Sequence, residues 1–176
     1  MKGDTIPQIE VREECAGDER GIRDLHAAAF GQLDEGAIVD RVRGSGGALV
    51  SLVASSNGAI VGHVLISSVR IEGEGAAPPV GGLGPISVDP DMQGRSVGST
   101  LMRAALARAP RHGWKALFLL GDPAYCVRFG FEPAPARGFH YESERYDAAF
   151  QLLELEPGAL TGCRGWVRYH PAFAGD

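Results

Sequence analysis

Apolar and polar residues follow two different spacings along the first part of the chain. They alternate over residues 6–13, and such alternation is typical of a strand. Between Asp18 and Phe30 the apolar residues recur at helical spacing, which predicts a helix that Asp18 can cap. A second helix is predicted over residues 34–43, where Gly44 follows. The chain therefore begins with one strand and two helices.

The next elements are predicted to form a β-hairpin. Two apolar segments, residues 48–55 and 59–71, are separated by Asn57 and Gly58. An Asn-Gly pair between apolar runs favours a two-residue hairpin turn, because both residues accept positive φ. The remaining predictions are a flexible loop at 72–79, strands at 82–88, 116–120, 138–141 and 150–155, and helices at 97–109 and 123–129.

The order of these elements predicts an α/β fold with a mixed sheet. Hairpin-linked strands come first and helix-linked strands come later, so helices are expected on both faces of the sheet. The length of 176 residues fits one domain, residues 1–176. Residues 157–176 are predicted to form a C-terminal tail packed on the body, where Trp166 and Phe173 lie. This tail is also a candidate for a lid or for the edge of a homodimer.

Composition and charge narrow the function mainly by exclusion. The formal net charge of −5 lacks the basic excess that a nucleic-acid backbone requires. Residues 1–7 lack the apolar core of a signal peptide, and no run approaches the length of a membrane span. The cysteines, Cys15, Cys126 and Cys163, are odd in number and form no CxxC pair, which favours a reducing cytoplasm. Neither cysteines nor histidines have metal-ligand spacing, so no metal is expected.

Residues 84–99 are the segment with the clearest chemical meaning. They read as a strand, a tight turn, a loop of small residues and the start of a helix, whose free N–H groups and positive dipole end suit a phosphate. Arg95 adds a cation that can bind phosphate oxygens. A simple turn capped by Ser96 fits the same spacing. Several residues of this segment have small side chains, which let the backbone amides approach a diphosphate closely. They are Gly94, Ser96, Gly98 and Ser99.

Two segments carry a resemblance to a known family. Residues 93–98, Gln-Gly-Arg-Ser-Val-Gly, resemble the coenzyme A-binding motif of the GCN5-related N-acetyltransferase (GNAT) superfamily, written Gln/Arg-x-x-Gly-x-Gly/Ala. The first and last positions match, and Ser96 replaces the central Gly. Residues 119–132 resemble the later motif of the superfamily, in which a helix carrying a Tyr ends in Gly-Phe. This form and the tail at 164–173 are similar to the YhbS-like bacterial branch.

The resemblance implies a fold, a co-substrate and an activity. The fold is that of acyl-CoA N-acyltransferases, a central, mostly antiparallel mixed sheet of six to seven strands with helices on both faces. The activity is that of an acyltransferase that moves the acetyl group of acetyl-CoA directly to an amine of a small molecule or peptide. The residues assigned to acetyl-CoA are Ile86, Ser87, Val88, Gln93, Gly94, Arg95, Ser96, Val97, Gly98, Ser99, Asp122 and Tyr125.

The resemblance also implies how the thioester is held. In the superfamily the strand before the diphosphate loop carries a bulge, and one of its amides polarises the thioester carbonyl. That strand is 84–88 here, and because Pro85 has no N–H the donor must follow it. Divergence of this strand from 116–120 would form the slot for the pantetheine arm.

Two neighbouring residues are candidates for protonating the departing thiolate. The superfamily places a Tyr four residues before the Gly of Gly-Phe, and counting back from Gly130 gives Cys126. Tyr125 stands one place earlier, on a different side of the short helix. A buried core position is the alternative for Cys126, and a structural hydrogen bond is the alternative for Tyr125. Water or direct thiolate release would need neither residue.

Candidates for the general base are Glu35, His63 and Glu10. Glu35 lies at the start of the second helix, where the superfamily often forms its acceptor site, although an acidic residue there also suits the helix dipole. The alternative for His63 is that it packs or forms hydrogen bonds within its strand. The alternative for Glu10 is that it simply faces solvent. Asp122 can bind a pantetheine amide or cap the helix at Pro123.

Two other functions fit the same motifs. The departures at Ser96 and Cys126 allow a non-catalytic acyl-CoA-binding or regulatory module on the same fold. The second alternative is a transferase for a longer acyl chain. The width of the acyl-binding space beside Ile86 and Tyr125 would distinguish it from an acetyltransferase. The net negative charge suits a cationic acceptor but does not identify one.

Overall fold

A computed structural model of the chain describes residues 8–31, 34–47 and 49–174, and at Asp34 only the backbone. Within these ranges the chain forms nine strands and four α-helices. Among the described residues, no helix combines the length and the apolar character that crossing a membrane requires. Some predicted positions lie outside the described residues, namely Ile6, Gln32, Ala48 and the last two residues of the tail.

The strands and helices follow the predicted order closely, with several longer or additional elements. The strands are β1 (Glu10–Glu13), β2 (Leu49–Ser56), β3 (Ala59–Glu74), β4 (Val80–Val88), β5 (Ala116–Leu120), β6 (Glu132–Pro133), β7 (Phe139–Tyr141), β8 (Phe150–Glu154) and β9 (Arg164–Arg168). The helices are α1 (Glu19–Phe30), α2 (Asp34–Gly44), α3 (Val97–Arg108) and α4 (Pro123–Cys126). Short 3₁₀ turns include Pro90–Met92, Val127–Phe129 and Pro171–Phe173.

All the strands join in one mixed sheet, which confirms the predicted α/β class. The pairing path is β1-β2-β3-β4-β5-β8-β6, and β9 pairs with both β3 and β7. The pairs β4–β5 and β7–β9 are parallel, and the other pairs are antiparallel. The strand count is nine rather than six to seven, because the apolar pattern predicts neither β6 nor β9.

The predicted loop at 72–79 is wrong in its first part, because β3 continues to Glu74. Arg70–Glu74 pair with β9, and Gly73 lies opposite Gly165. A Cβ added at Gly73 would lie 2.1 Å from the backbone oxygen of Arg164, so this close pairing needs glycine. Polar residues fill this extension, and without apolar alternation it does not read as a strand.

The predicted C-terminal tail contains a strand of the sheet. β9 has β3 on one side and β7 on the other, so its backbone offers no free edge to a second copy of the chain. The homodimer edge predicted for the C-terminal tail stays a prediction, and the pairing of β9 on both sides means that it would not form by adding a strand of a second copy to β9. The segment after β9 packs on α2 through Pro171–Phe173, where Ala172 is buried.

Helices cover both faces of the sheet, as predicted. Successive residues of a strand point to opposite faces, so the two sides of β2 and β3 enter different hydrophobic clusters. The cluster on the α3 face includes Leu52, Ala54, Val64, Ile66, Leu101, Met102 and Ala105. The cluster on the face of α1 and α2 includes Ile22, Val39, Val42, Val53, Leu65 and Ala172.

Asp18 has a different role from the predicted helix cap. It stands at the N-cap position of α1, but its carboxylate makes no capping bond to the helix. It instead accepts hydrogen bonds from the Arg12 guanidinium at 2.6 and 3.0 Å and from the Cys15 N–H at 2.9 Å. The contact with Arg12 holds the pKa of Asp18 well below its usual range. Asp18 therefore ties β1 to the start of α1.

Candidate functional site

β4 and β5 separate part of the way along their length. Their parallel pairing covers Val80, Gly81 and Gly82 of β4 and ends where Gly82 stands opposite Phe118. β5 continues to Leu120 and β4 continues to Val88, so both strands run on without pairing to each other. The predicted divergence is present and opens a gap within the sheet.

A β-bulge distorts β4 beside this gap. The register between β3 and β4 shifts between Val64 and Ile66, which leaves Gly84 and Pro85 together opposite Leu65. Two residues of one strand opposite one residue of its partner define a bulge, and bulges turn a strand locally. The bulge that the resemblance implies for this strand is therefore present.

The backbone groups of Ile86 and Val88 turn towards the gap. The Asp89 N–H donates to the Val61 carbonyl of β3 at 2.9 Å. Hydrogen-bonded pairs alternate along an antiparallel ladder, so Ser87 also turns its N–H and C=O towards β3. Ile86 and Val88 consequently direct theirs to the opposite side, where β5 has diverged. These are the two residues predicted to meet the cofactor through their backbones.

The tip of α3 presents free amides. The Thr100 N–H bonds to the Ser96 carbonyl at 3.0 Å and is the donor in the first intrahelical bond. The N–H groups of Val97, Gly98 and Ser99 precede it and have no carbonyl within the helix to bond. These amides, together with the positive end of the helix dipole, form an anion site.

Two residues of the loop before α3 adopt the left-handed backbone conformation. Gly94 has φ 73° and Ser96 has φ 65°. Ser96 stands where the superfamily motif has glycine, the residue that adopts this conformation without strain. The Ser96 side chain makes no capping hydrogen bond, so the alternative of a turn capped by Ser96 is not supported.

A cavity of about 320 Å³ lies at this tip. Six of the seven residues at 93–99 line it, and the exception is Arg95, whose side chain is exposed. Arg128 and Tyr125 line the opposite side, with the Arg128 guanidinium carbon 5.3 Å from the centre of the Tyr125 ring. Arg128 is therefore a cation at the cavity that the motif does not reveal.

A second cavity, of about 350 Å³, occupies the gap between β4 and β5. Leu83 to Ile86 line it from β4, and Leu119 and Leu120 line it from the end of β5. Tyr125 lines both cavities, so they meet at this ring. We call the first the tip cavity and the second the gap cavity.

The gap cavity reaches both faces of the sheet. Met102 and Cys126 line it and belong to the hydrophobic cluster under α3. Ile38 and Phe173 also line it and pack with the cluster under α1 and α2. A ligand entering from the α3 face can thus meet a second ligand entering from the other face.

Tyr125 and Cys126 have different surroundings. The Tyr125 hydroxyl lies 3.4 Å from Ser99 Oγ at the start of α3, and its ring packs on Phe129. Cys126 is 2% exposed, and burial raises the pKa of its thiol. A buried, protonated thiol fits the core position that was the alternative for Cys126.

Glu35 and Asp122 are the carboxylates on the wall of the gap cavity, among the described residues that line it. Asp122 accepts a hydrogen bond from the Ala124 N–H at 2.9 Å and so caps α4. Glu35 differs, because its Oε2 is buried and has no hydrogen-bond partner among the described residues. A buried carboxylate oxygen without a partner is costly and suits a ligand that donates a proton. Glu10 is exposed on β1 and lines neither cavity.

His63 lies in a buried chain of hydrogen bonds rather than in the site. Its Nε2 lies 2.8 Å from Ser51 Oγ, and its Nδ1 lies 2.9 Å from His26 Nε2. Ser51 donates its single hydroxyl proton to Glu14, so His63 Nε2 must donate to Ser51. His63 Nδ1 then accepts from His26, which leaves His63 no free lone pair to act as a base. Ser87, predicted at the cofactor, stands opposite His63 with a buried side chain and lines neither cavity.

The two histidines predict a loss of stability in mild acid. Burial lowers the pKa of His26 to about 4 and that of His63 to about 3, both below the ordinary value. As the pH falls below about 6.5, the unfolded chain binds protons at these sites and the folded chain does not. Stability is therefore complete above about pH 7 and declines towards pH 4, each histidine contributing up to about 1.4 kcal/mol per pH unit.

Thermal unfolding measured from pH 7 to pH 4 checks this prediction. His26→Gln removes one of the two titrating rings and should make the decline markedly shallower. Val127→Ala, at an exposed residue that does not titrate, should leave the slope unchanged. An equal slope in wild type and His26→Gln would contradict the assignment.

Comparisons with known proteins agree with this geometry. A family model described as an acetyltransferase (GNAT) domain matches residues 10–134. In sequence, the chain is 35% identical over 92 residues to the uncharacterized N-acetyltransferase YhbS of Escherichia coli K12. That match covers 52% of this chain and 55% of YhbS, so it spans about half the length of the relative.

Solved structures extend the similarity to nearly the whole chain. A GNAT family N-acetyltransferase (YhbS) from Escherichia coli, in complex with CoA, has a TM-score of 0.88 and 31% identity. The comparison covers 96% of this chain and 93% of that one. A GNAT family acetyltransferase from Brucella melitensis, in complex with acetyl-CoA, has a TM-score of 0.76 and 35% identity, covering 94% and 98%.

Proposed function

This chain belongs to the GNAT acetyltransferase family, and from that premise we propose that it transfers the acetyl group of acetyl-CoA directly to an amine. The observation that carries the proposal is the meeting of the tip cavity and the gap cavity at Tyr125. One cavity offers helix amides to a diphosphate, and the other is a narrow slot that opens to both faces of the sheet. An acyl carrier with a diphosphate at one end and a thioester at the end of a thin arm fits this pair.

The tip cavity binds the diphosphate in this proposal. Backbone amides of 97–99 donate to its oxygens, and the helix dipole adds a favourable field. Arg128 supplies the cation on the opposite wall, and Arg95, exposed in the loop outside the cavity lining, adds positive charge nearby. Gly98 lines this cavity, and a Cβ there would make only ordinary contact, 3.4 Å from the Tyr125 hydroxyl, whereas a longer side chain would extend into the space of the diphosphate.

The gap cavity holds the pantetheine arm and the acetyl group. The backbone of Ile86 and Val88 faces this gap, so their N–H groups can bond the arm and polarise the thioester carbonyl as it becomes tetrahedral. The amine enters from the face of α1 and α2, where Glu35 lies. Acyl donor and acceptor thus approach the carbonyl from opposite sides of the sheet.

The chemical step requires proton transfers at both the nitrogen and the sulfur. Glu35 takes a proton from the acceptor's ammonium group, and the lone pair that this frees attacks the thioester carbon. As the tetrahedral intermediate collapses and the C–S bond breaks, the thiolate takes the proton of the Tyr125 hydroxyl. The surplus proton on the nitrogen then passes to the Tyr125 phenolate, and Glu35 returns its own proton to solvent. The products are an N-acetyl amide and free coenzyme A. Cys126 has no part in this scheme, since its thiol is buried and its pKa is raised by burial.

Ligand-dependent unfolding and turnover together test the proposal. Acetyl-CoA and CoA should raise the melting temperature, whereas ATP and NAD should not, because stabilisation follows affinity for the folded state. Release of free thiol in the presence of amines should then be catalytic. Stabilisation by acetyl-CoA without turnover of any amine would favour the non-catalytic acyl-CoA-binding module. Absence of stabilisation would overturn the assignment of both cavities.

We also propose that the chain works in the cytoplasm. Cys15, Cys126 and Cys163 are free thiols in the structure, and a reducing compartment keeps thiols in this state.

A further inference from the structure

The acceptor side of the gap cavity has an unusual combination of walls. Phe30 of α1, Ile38 of α2 and Phe173 of the C-terminal segment line it, and these residues are all apolar. Phe30 is 43% exposed, so its ring leaves apolar surface open to a ligand in this cavity. Glu35 lies among them, and its buried oxygen has no hydrogen-bond partner in the part of the chain that the structure describes. This side therefore offers apolar surface around one carboxylate.

Phe173 forms a fixed part of this wall. Its ring centre lies 5.3 Å from that of Tyr169, and its N–H donates to the His170 carbonyl at 2.9 Å. The Tyr169 hydroxyl donates to the Phe118 carbonyl of β5 at 3.0 Å, which anchors the segment to the sheet. A wall held in place before the ligand arrives costs little to order on binding.

The charged residues that line the gap cavity limit which amines can bind there. Among the described residues that line it, the charged ones are Glu35 and Asp122, and Asp122 already accepts the bond that caps α4. A second ammonium group out of reach of the exposed Asp122 would enter apolar surroundings without a partner, and a peptide backbone would bury unpaired amides. The volume of about 350 Å³ must also hold the end of the pantetheine arm.

Resting on the proposed acetyl transfer, we propose that the acceptor is a small primary monoamine with an apolar, preferably aromatic, body. Its ammonium group pairs with Glu35 and then loses its proton to it. Its body packs between Phe30, Ile38 and Phe173. Polyamines and lysine-containing peptides are poor acceptors in this arrangement.

A panel of amines tests the proposal by release of free thiol from acetyl-CoA. We expect 2-phenylethylamine to have a kcat/KM about 10- to 100-fold above that of ethylamine, since burying a ring of this size has an effect of this order. Spermidine and a lysine-containing tetrapeptide should fall at least about tenfold below 2-phenylethylamine. Equal or better turnover of ethylamine, spermidine or the peptide would overturn the acceptor class while leaving acetyl transfer in place.

Substitutions in the apolar wall of the gap cavity test whether that wall recognises the apolar part of the amine. Phe30→Ala and Phe173→Ala should each lower kcat/KM for 2-phenylethylamine about tenfold, mainly through KM, and change that for ethylamine less than about twofold. Val127→Ala is the matched control, because Val127 is 63% exposed and lines neither cavity. Acetyl-CoA should stabilise all three variants as it does the wild type. Equal losses for both amines would contradict the proposal.

A wrong acceptor class and a wrong proposed function give different results with the panel of amines. Turnover confined to a polar or polycationic amine overturns the acceptor class alone. No turnover of any amine, with stabilisation by acetyl-CoA intact, overturns acetyl transfer and the acceptor class together. Phe30 ends α1 and is partly exposed, so Phe30→Ala remains informative even if Phe173→Ala does not fold.

Discussion

Replacing Gly98 with Glu will remove the stabilisation that acetyl-CoA gives the wild-type protein. A Cβ at this position lies 3.4 Å from Tyr125 Oη and 3.5 Å from Val88 Cγ2, so a methyl group fits and a longer side chain must extend into the tip cavity. The carboxylate then lies where the diphosphate binds. Two like charges about 5 Å apart repel by about 3 kcal/mol at an effective dielectric constant of about 20. We therefore expect Kd to rise at least about 100-fold.

Thermal unfolding with and without ligand measures this loss. At a concentration of about 100 times Kd, a ligand stabilises the folded state by about 2.7 kcal/mol, which is a rise of about 5–10 °C for a chain of this size. The same concentration should raise the melting temperature of Gly98→Glu by less than about 1 °C. The variant itself should fold, because replacing a helical glycine and adding an acidic residue in the first turn both favour α3.

Two control variants isolate the cause. Gly98→Ala adds only the Cβ that the structure accommodates, so most of the stabilisation by acetyl-CoA should remain. Ala107→Glu adds the same negative charge to an exposed position of α3 that lines neither cavity, and its response should equal that of wild type. A wild-type response from Gly98→Glu would show that the diphosphate binds elsewhere.

The parts of the fold that the sequence predicts are those with local signals. The Asn57-Gly58 turn has φ 50° and 79°, as a hairpin turn requires, and it joins β2 to β3. The predicted helix over 97–109 and strand over 116–120 match α3 and β5 within one residue. Each of these elements is specified by its own turn residues or by its own apolar spacing.

The missed elements depend on distant partners. β9 is short, with arginine or glycine at three of its five positions, and it pairs with the extension of β3 about 90 residues earlier in the chain, where Arg164 lies beside Glu74. Neither strand has the alternation that marks a half-buried strand, because pairing rather than one buried face holds them. Such long-range pairing cannot be inferred from either segment alone.

The residues of the candidate site likewise fall into those that a local sequence signal predicts and those that it does not. Residues 93–99 could be predicted because one continuous segment builds the tip of α3, and six of the seven line the tip cavity. The acceptor wall could not, because it brings Phe30 and Ile38 of two helices together with Phe173 near the other end of the chain. Arg128 lies three residues after Tyr125 and lines the tip cavity because this segment lies beside the start of α3, where Tyr125 meets Ser99.

The separated strands explain why one sheet can serve two ligands. A continuous ladder between β4 and β5 would close the sheet and keep the α3 face apart from the face of α1 and α2. Because the ladder ends at Gly82, the backbone of Ile86 can meet a carbonyl in the gap while an amine approaches from the side of Glu35. In the proposed reaction, catalysis therefore depends on the position of Glu35 relative to the gap.

Replacing Glu35 with Gln will lower kcat by about 10²- to 10⁴-fold, the range typical for loss of a general base. Gln has the size of Glu and can still occupy the cavity wall, but it cannot accept the proton of the amine.

Steady-state thiol release, with 2-phenylethylamine and any better acceptor from the panel, measures this loss. Acetyl-CoA should still stabilise Glu35→Gln, because Glu35 lines only the gap cavity and not the tip cavity proposed to bind the diphosphate. Glu10→Gln is the matched control, since Glu10 is exposed on β1 and lines neither cavity, and its kcat should stay within about twofold of wild type. If Glu35→Gln keeps wild-type kcat, the amine loses its proton by another route. The buried oxygen of Glu35 would then serve to attract the ammonium group rather than to deprotonate it.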